Sequence, residues 1–275
     1  MGELRIDPLS GLRVILAEVD EPALAPGGEL GGDPLAEGRG DPSLFAAGPA
    51  AGVHEVIANG SGAAPRLLDL GPDGLAEALE LWRVRMRAHA DAAYVHLIVD
   101  EVAETEAPAT SGAELFALPF VPAAVARERE RFTAYFDRTQ GRNLLADVLQ
   151  EEVRRQQRLV TIDREAVAIC PFASRAPFHV QVIPRAPRAR FEDDGATGAA
   201  VLFDVLRRIA AGLGTLPALN VWIRTAPRGA AAFCWRIEVV PRLVQPAGLE
   251  LGTGLQLCSE PPERAAQRLR DVPPA

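Results

Sequence analysis

The sequence predicts an α+β protein built as two similar halves. Three observations carry that prediction. Short apolar or alternating runs recur as strand candidates, and a few stretches of helical period lie between them. The same order of paired strands, one long helix and two further strands also occurs twice. The repeat is one of order, since the residues of the halves barely match. The pattern breaks around Gly141, so the halves are expected at 1–140 and 141–275. Each is long enough to enclose a core.

The elements follow in order. Leu12 to Leu16 is a short strand candidate, and a loop rich in Gly, Pro, Ala and acidic residues follows it up to residue 50. His54 to Ala58 is a second strand, ending in the turn-like NGSG at 59–62. Asp73 is placed to cap a helix that aligns Leu75, Leu79, Trp82 and Met86 on one face. Strands are expected at Tyr94 to Val99 and Glu114 to Leu118. Pro122 marks the start of a helix with Val125, Phe132 and Phe136 spaced toward a core, and its RERER run at 127–131 reads as a solvated face. A polar helix is expected near 147–157, then strands at 158–162, 166–170 and 178–183. Leu202, Val205, Leu206, Ile209 and Leu213 form one stripe of a strong helix. Strands at 219–224 and 233–240 come next, then a C-terminal helix opened by Pro261 and Pro262.

Composition narrows the function. There are 29 basic residues, all of them arginine, against 37 acidic ones, for a net charge of −8. An acidic surface repels a phosphate backbone, so no nucleic-acid partner is expected. With no lysine, a lysine nucleophile, a Schiff base and a P-loop lysine are all excluded. No apolar run of about 18 residues occurs, so no membrane partner is expected. The first residues lack the basic start and apolar stretch of a signal peptide. Three scattered cysteines, Cys170, Cys234 and Cys258, make no disulfide framework or four-cysteine knot, which suits a cytoplasmic location.

Several strings then match a known family in its order. They are RIDPLSG at 5–11, GVHEVI at 52–57, ALPFVP at 117–122, the spacing of Glu152 to Arg158, and CPFASRAPF at 170–178. LPALNVWIRTAP at 216–227, WRIEVVPRL at 235–243 and AGLELGTG at 247–254 complete the set. Through these residues the chain resembles the galactose-1-phosphate uridylyltransferases and related hexose-1-phosphate nucleotidylyltransferases of the histidine-triad superfamily. The resemblance implies two histidine-triad-like half-domains, each an antiparallel sheet with packed helices, and often a homodimer.

It also implies nucleotidyl transfer through a covalent histidine, and here the sequence departs from the family. The family's His-Pro-His-x-Gln stretch falls on Thr110, Ser111, Gly112, Ala113 and Glu114, so Gly112 stands where the attacking histidine would be. No histidine occurs between His96 and His179. Glu114 replaces a phosphoryl-binding glutamine and would meet a phosphate with like charge. No cysteine precedes Cys170 to make the N-terminal metal pair, whose further ligand positions carry Ala63 and Thr110. A second metal site, on one glutamate and three histidines in many relatives, maps to Glu152, Arg224, Cys234 and Arg236. Arginines there suggest a salt-bridged substitute beside Glu152, or an anion site. Neither a metal nor a cofactor is expected.

The resemblance leaves Asp100, Asn220, Arg224, Arg236, Glu250 and Gln256 as candidate ligand-binding residues. Glu114 and Cys234 are the speculative catalytic ones; a cysteine beside Arg224 or Arg236 would have a lowered pKa. His54 and His89 stand alone in the sequence and read as surface or satisfied polar residues, and a place for His96 near the ligand cleft is the lesser reading of its strand. FHVQVIP at 178–184 reads as a scaffold strand with His179 and Gln181 on one face. The resulting expectation is a non-catalytic or chemically altered homologue that binds a nucleotide, a nucleotide sugar or a sugar phosphate. The alternatives are a nucleotidyltransferase or hydrolase with a non-histidine mechanism, and a protein-interaction subunit of a homodimer or hetero-oligomer. A cleft plugged by Phe116, Phe233 or Trp235 would favour the last.

Overall fold

The computed structural model describes residues 3–16, 52–59, 66–103, 112–195 and 198–273. The expected loop up to residue 50 and the positions Ala63, Thr110 and Ser111 lie outside them, as does most of the NGSG turn. In the first half the elements are β1 (Glu3–Ile6), β2 (Arg13–Leu16), β3 (Val53–Ala58), α1 (Gly71–Ala88), β4 (Tyr94–Glu101), β5 (Gly112–Leu118) and α2 (Ala123–Arg138). The second half contributes α3 (Leu144–Arg155), β6 (Leu159–Ile162), β7 (Ala166–Ile169), β8 (Val180–Pro184) and α4 (Ala199–Leu213). It ends with β9 (Leu219–Arg224), β10 (Arg236–Pro241), α5 (Gly248–Thr253), β11 (Gln256–Cys258) and α6 (Pro262–Arg270).

Each half supplies an antiparallel set, β3–β5–β4 from the first and β9–β10–β8–β7–β6 from the second. Hydrogen bonding between β4 and β9 joins the sets into one eight-stranded sheet. A three-stranded sheet, β1–β2–β11, lies apart from it. Arg5 on β1 ties that sheet to the rest by donating to Phe172 O over 3.0 Å and to Glu263 on α6 over 2.9 Å.

Strand alternation gives the large sheet one apolar face. Val95, Leu97 and Val99, Leu115 and Ala117, Val221 and Ile223, and Ile237 and Val239 all point into one core. Trp82 and Met86 of α1 and Leu202, Val205, Leu206 and Ile209 of α4 close over it. The helical stripes expected on both helices are therefore the buried faces. On the opposite face, Phe132 of α2 and Leu145 and Leu149 of α3 pack with Val167, Ile169 and Ile183 in a second core. Over β9, β4 and β5 that face is left half-exposed.

Local departures from the expectations have local causes. The residue before α1 is Leu70, and Asp73 sits within the first turn, where its charge suits the positive end of the helix without a capping bond. The true side-chain cap belongs to Asn143, whose Oδ1 accepts from Leu145 N and Ala146 N at 3.1 Å and so starts α3 earlier than predicted. Phe136 is 41% exposed and does not reach the core. The RERER run is not wholly solvated either, because Glu128 is completely buried. The last long strand begins at Arg236 rather than 233. Gly52 has φ +103°, and a Cβ there would come within 2.3 Å of Ala117 O. Only glycine lets the chain enter β3 at that point.

Candidate functional site

The half-exposed face places polar residues side by side. Asp100 on β4 is in register with Asn220 on β9, and Ile98 lies opposite Trp222. On the other side of β4, Ile98 faces Glu114 and His96 faces Phe116 of β5. His96, Ile98, Asp100, Asn220, Val221 and Trp222 line a cavity of about 320 Å³. Two larger depressions, about 590 Å³ near His89 and Pro119 and about 490 Å³ near Arg188 and Asp194, contain none of the candidate ligand-binding residues. The smaller one is the candidate site because the polar side chains converge there.

Burial, and after it the Arg224 charge, lowers the His96 pKa to about 3, so its ring is neutral at pH 7. Its Nδ1 is buried without a hydrogen-bond partner among the described residues. Glu114 is not free to meet a ligand alone, since His54 Nε2 lies 2.9 Å from its Oε2. The His54 ring also stacks on Phe116, with centroids 4.6 Å apart. His89 likewise pairs with Glu55 at 2.7 Å, so both histidines are satisfied polar residues, as expected. Phe233 and Trp235 are buried in the two cores and do not line the cavity.

Next along the sheet the face becomes a buried ionic cluster. Arg224 and Arg236 are in register on β9 and β10. Glu128 of α2 receives Arg236 Nη2 at 3.2 Å and lies 3.6 Å from Arg224 Nε. Arg236 Nε donates to Glu238 Oε1 over 2.6 Å, and Gln181 Nε2 donates to the same oxygen over 3.2 Å. His179 Nδ1 accepts the Arg175 amide, so Nε2 carries the proton and gives it to Glu238 Oε2 at 2.6 Å. Burial alone would raise the Glu238 carboxyl, but Arg236 and His179 hold it well below the usual carboxylate range. His179 and Gln181 thus fill the scaffold role expected of their strand.

Two expectations are corrected here, those for Glu152 and Cys234. Glu152 does not face Arg224 or Arg236; Arg158 Nη2 holds it at 2.6 Å, and Arg158 also reaches Glu263 at 2.7 Å. The carboxylate beside the two arginines is Glu128. Cys234 is buried, and the loss of solvent pushes its thiol up to about 12, outweighing the nearby arginines. That is the reverse of an activated thiol. Glu250 accepts the Ala247 amide at 3.0 Å at the start of α5, and Gln256 pairs with Val14 in the small sheet. Neither lines the cavity.

A metal does not fit the second-half positions. A guanidinium has five donors and no lone pair to give a cation, and Cys234 is held as a thiol. Among the described residues, no group of three or more His, Cys, Asp or Glu side chains is placed to hold a metal ion. No helix among them is long and apolar enough to cross a membrane.

The α+β sheet with its polar, half-covered face defines a fold that other proteins share. No family model matches the chain. It is 26% identical over 234 residues to an ADP-glucose phosphorylase of Arabidopsis thaliana, covering 80% of this chain and 65% of that protein. A probable galactose-1-phosphate uridylyltransferase of Drosophila melanogaster is 28% identical over 177 residues, covering 58% of this chain and 50% of that one. The chain therefore spans less than two thirds of the length of either relative. The X-ray structure of a galt-like protein from Arabidopsis thaliana superposes with a TM-score of 0.80 at 22% identity, over 100% of both chains. Homology and fold together point to the superfamily of galactose-1-phosphate uridylyltransferase-like nucleotidyltransferases.

Sequence reasoning missed Glu128, Ile98 and Trp222. The alternation of β4 and β9 was signal enough to put Ile98 and Trp222 on the same face as Asp100 and Asn220.

Proposed function

We propose that the chain binds a nucleotide, nucleotide sugar or sugar phosphate on the open sheet face, without forming a covalent histidine adduct. The convergence of His96, Asp100, Asn220 and Trp222 on one cavity carries this reading. Asp100 accepts ligand hydroxyls, Asn220 offers both a donor and an acceptor, and Trp222 supplies a flat apolar wall. Neutral His96 takes part as a hydrogen-bonding ring rather than as a charge. Gly112 has no side chain with which to attack phosphorus, so the covalent step lacks its reacting atom at that position.

An enzyme with altered chemistry has less support. Of its speculative groups, Glu114 is engaged by His54 and Cys234 is buried and protonated. Cytoplasmic residence and assembly as a homodimer or hetero-oligomer belong to the same proposal; three buried free cysteines suit a reducing compartment.

The test is a thermal-shift screen with UDP, ADP, UDP-sugars, ADP-glucose and hexose 1-phosphates. A ligand at about 100 times its Kd adds about 2.7 kcal/mol to the native state and raises the melting midpoint. A shift that is lost in Asp100→Ala supports the reading. No shift with any of these compounds overturns it and favours the protein-interaction subunit.

A further inference from the structure

The buried cluster beside the cavity holds charges that the proposed ligand site does not use. Glu128 and Arg236 are each at most 1% exposed, and Arg224 is 7% exposed. Burying three ionised groups costs several kcal/mol apiece unless each is compensated, so their arrangement calls for a physical reason.

We propose that Arg224 and Arg236 together replace a divalent cation at this point of the fold, with Glu128 as the carboxylate they hold. By this reading α2 docks on the sheet without any metal. The inference goes beyond the proposed ligand binding and does not depend on it.

The charge arithmetic supports the replacement. Two guanidiniums supply the same two positive charges as a divalent ion, and the carboxylates of Glu128 and Glu238 answer them. The geometry agrees. The guanidiniums come from in-register positions on adjacent strands and converge on one carboxylate lowered onto them by a helix. A bound ion needs ligands with lone pairs, whereas a tethered guanidinium carries its own charge and only needs acceptors. Glu128 and Glu238 provide those acceptors, and Glu238 is in turn fixed by His179 and Gln181. An anion site is a poorer account, because both arginines already face Glu128. Arg236 is shared with Glu238 as well.

The experiment uses the full chain, expressed in medium supplemented with zinc and iron and purified without chelator. Its metal content and its melting midpoint with and without EDTA are measured, in the native sequence and in Glu128→Gln. The expected result is a midpoint that EDTA leaves unchanged in both proteins and that Glu128→Gln lowers. A native midpoint that falls on chelation, together with about one metal ion per chain that Glu128→Gln no longer holds, overturns the proposal. If Glu128→Gln does not fold, the comparison moves to Arg236→Met and to Glu128→Leu combined with Arg236→Met. Recovery of midpoint in the double variant is expected from a directly coupled pair. A double variant whose losses simply add overturns the coupling.

Discussion

His179, immediately before β8, donates from Nε2 to Glu238 on β10 over 2.6 Å, with both side chains at most 2% exposed. Because Nδ1 is occupied by the Arg175 amide, the ring is fixed in one tautomer and works as a buried donor. His179→Ala removes that donor and leaves one Glu238 oxygen without its partner. A loss of roughly 1–3 kcal/mol is expected from urea denaturation, since an unsatisfied buried acceptor carries its full desolvation penalty. His179→Gln, which offers an N–H of its own, is expected to recover part of it.

Stability is expected to fall with acidification. In the folded state His96 titrates near 3 rather than 6.5, so between these values the unfolded chain binds more protons. Stability therefore declines as pH drops through that window, by up to about 1.4 kcal/mol per pH unit from this residue. Glu238 acts in the same direction at lower pH. Its carboxylate contributes above the ordinary carboxylate range, and the contribution is lost as pH falls through the depressed folded value. Urea midpoints near neutral pH and near pH ~5, compared with His96→Phe, isolate the imidazole. Parallel curves for the two proteins would contradict the assignment.

At the cavity, binding and stability are expected to separate. Asp100 and Trp222 are half-buried, and Asp100 lies opposite Asn220 of β9. Asp100→Ala should weaken any ligand found in the screen by about tenfold, the equivalent of about 1.4 kcal/mol. Its effect on unfolding should stay within about 0.5 kcal/mol. Trp222→Ala should weaken ligands with a flat base more than it weakens hexose 1-phosphates, measured by calorimetry.

The thiols should be silent in the native protein. Cys170, Cys234 and Cys258 are all buried, and the Cys258 thiol is pushed up to about 11 by burial. A thiol-reactive dye should label the native chain slowly and all three cysteines at once in denaturant. Rapid native labelling of Cys234 would restore it as a candidate nucleophile.

Much of this molecule was legible locally. Alternation in YVHLIV and LNVWIR already separates the apolar face from the polar one, and the stripe of Leu202, Val205, Leu206 and Ile209 marks the side of α4 that is buried. Glu128 was hidden because its partner Arg236 lies 108 residues away, and a run of alternating charge looks solvated until a second element is laid on it. The choice of Glu152 failed for a related reason. Spacing along the chain does not say which helix meets which strand, and α3 turns Glu152 toward Arg158 while α2 turns Glu128 toward the arginines. The chemistry of Cys234 depended on burial, which its arginine neighbours in the sequence do not reveal.

The junction of β4 with β9 decides who owns the cavity. His96, Ile98 and Asp100 come from one half, and Asn220, Val221 and Trp222 from the other. Neither half supplies this cavity alone, so the pocket is a property of the joint. The same backbone bonds that fuse the sheet hold its two walls in register, which denies the halves a hinge. A ligand must enter from the face of the sheet, because parting the walls would tear the ladder that defines them.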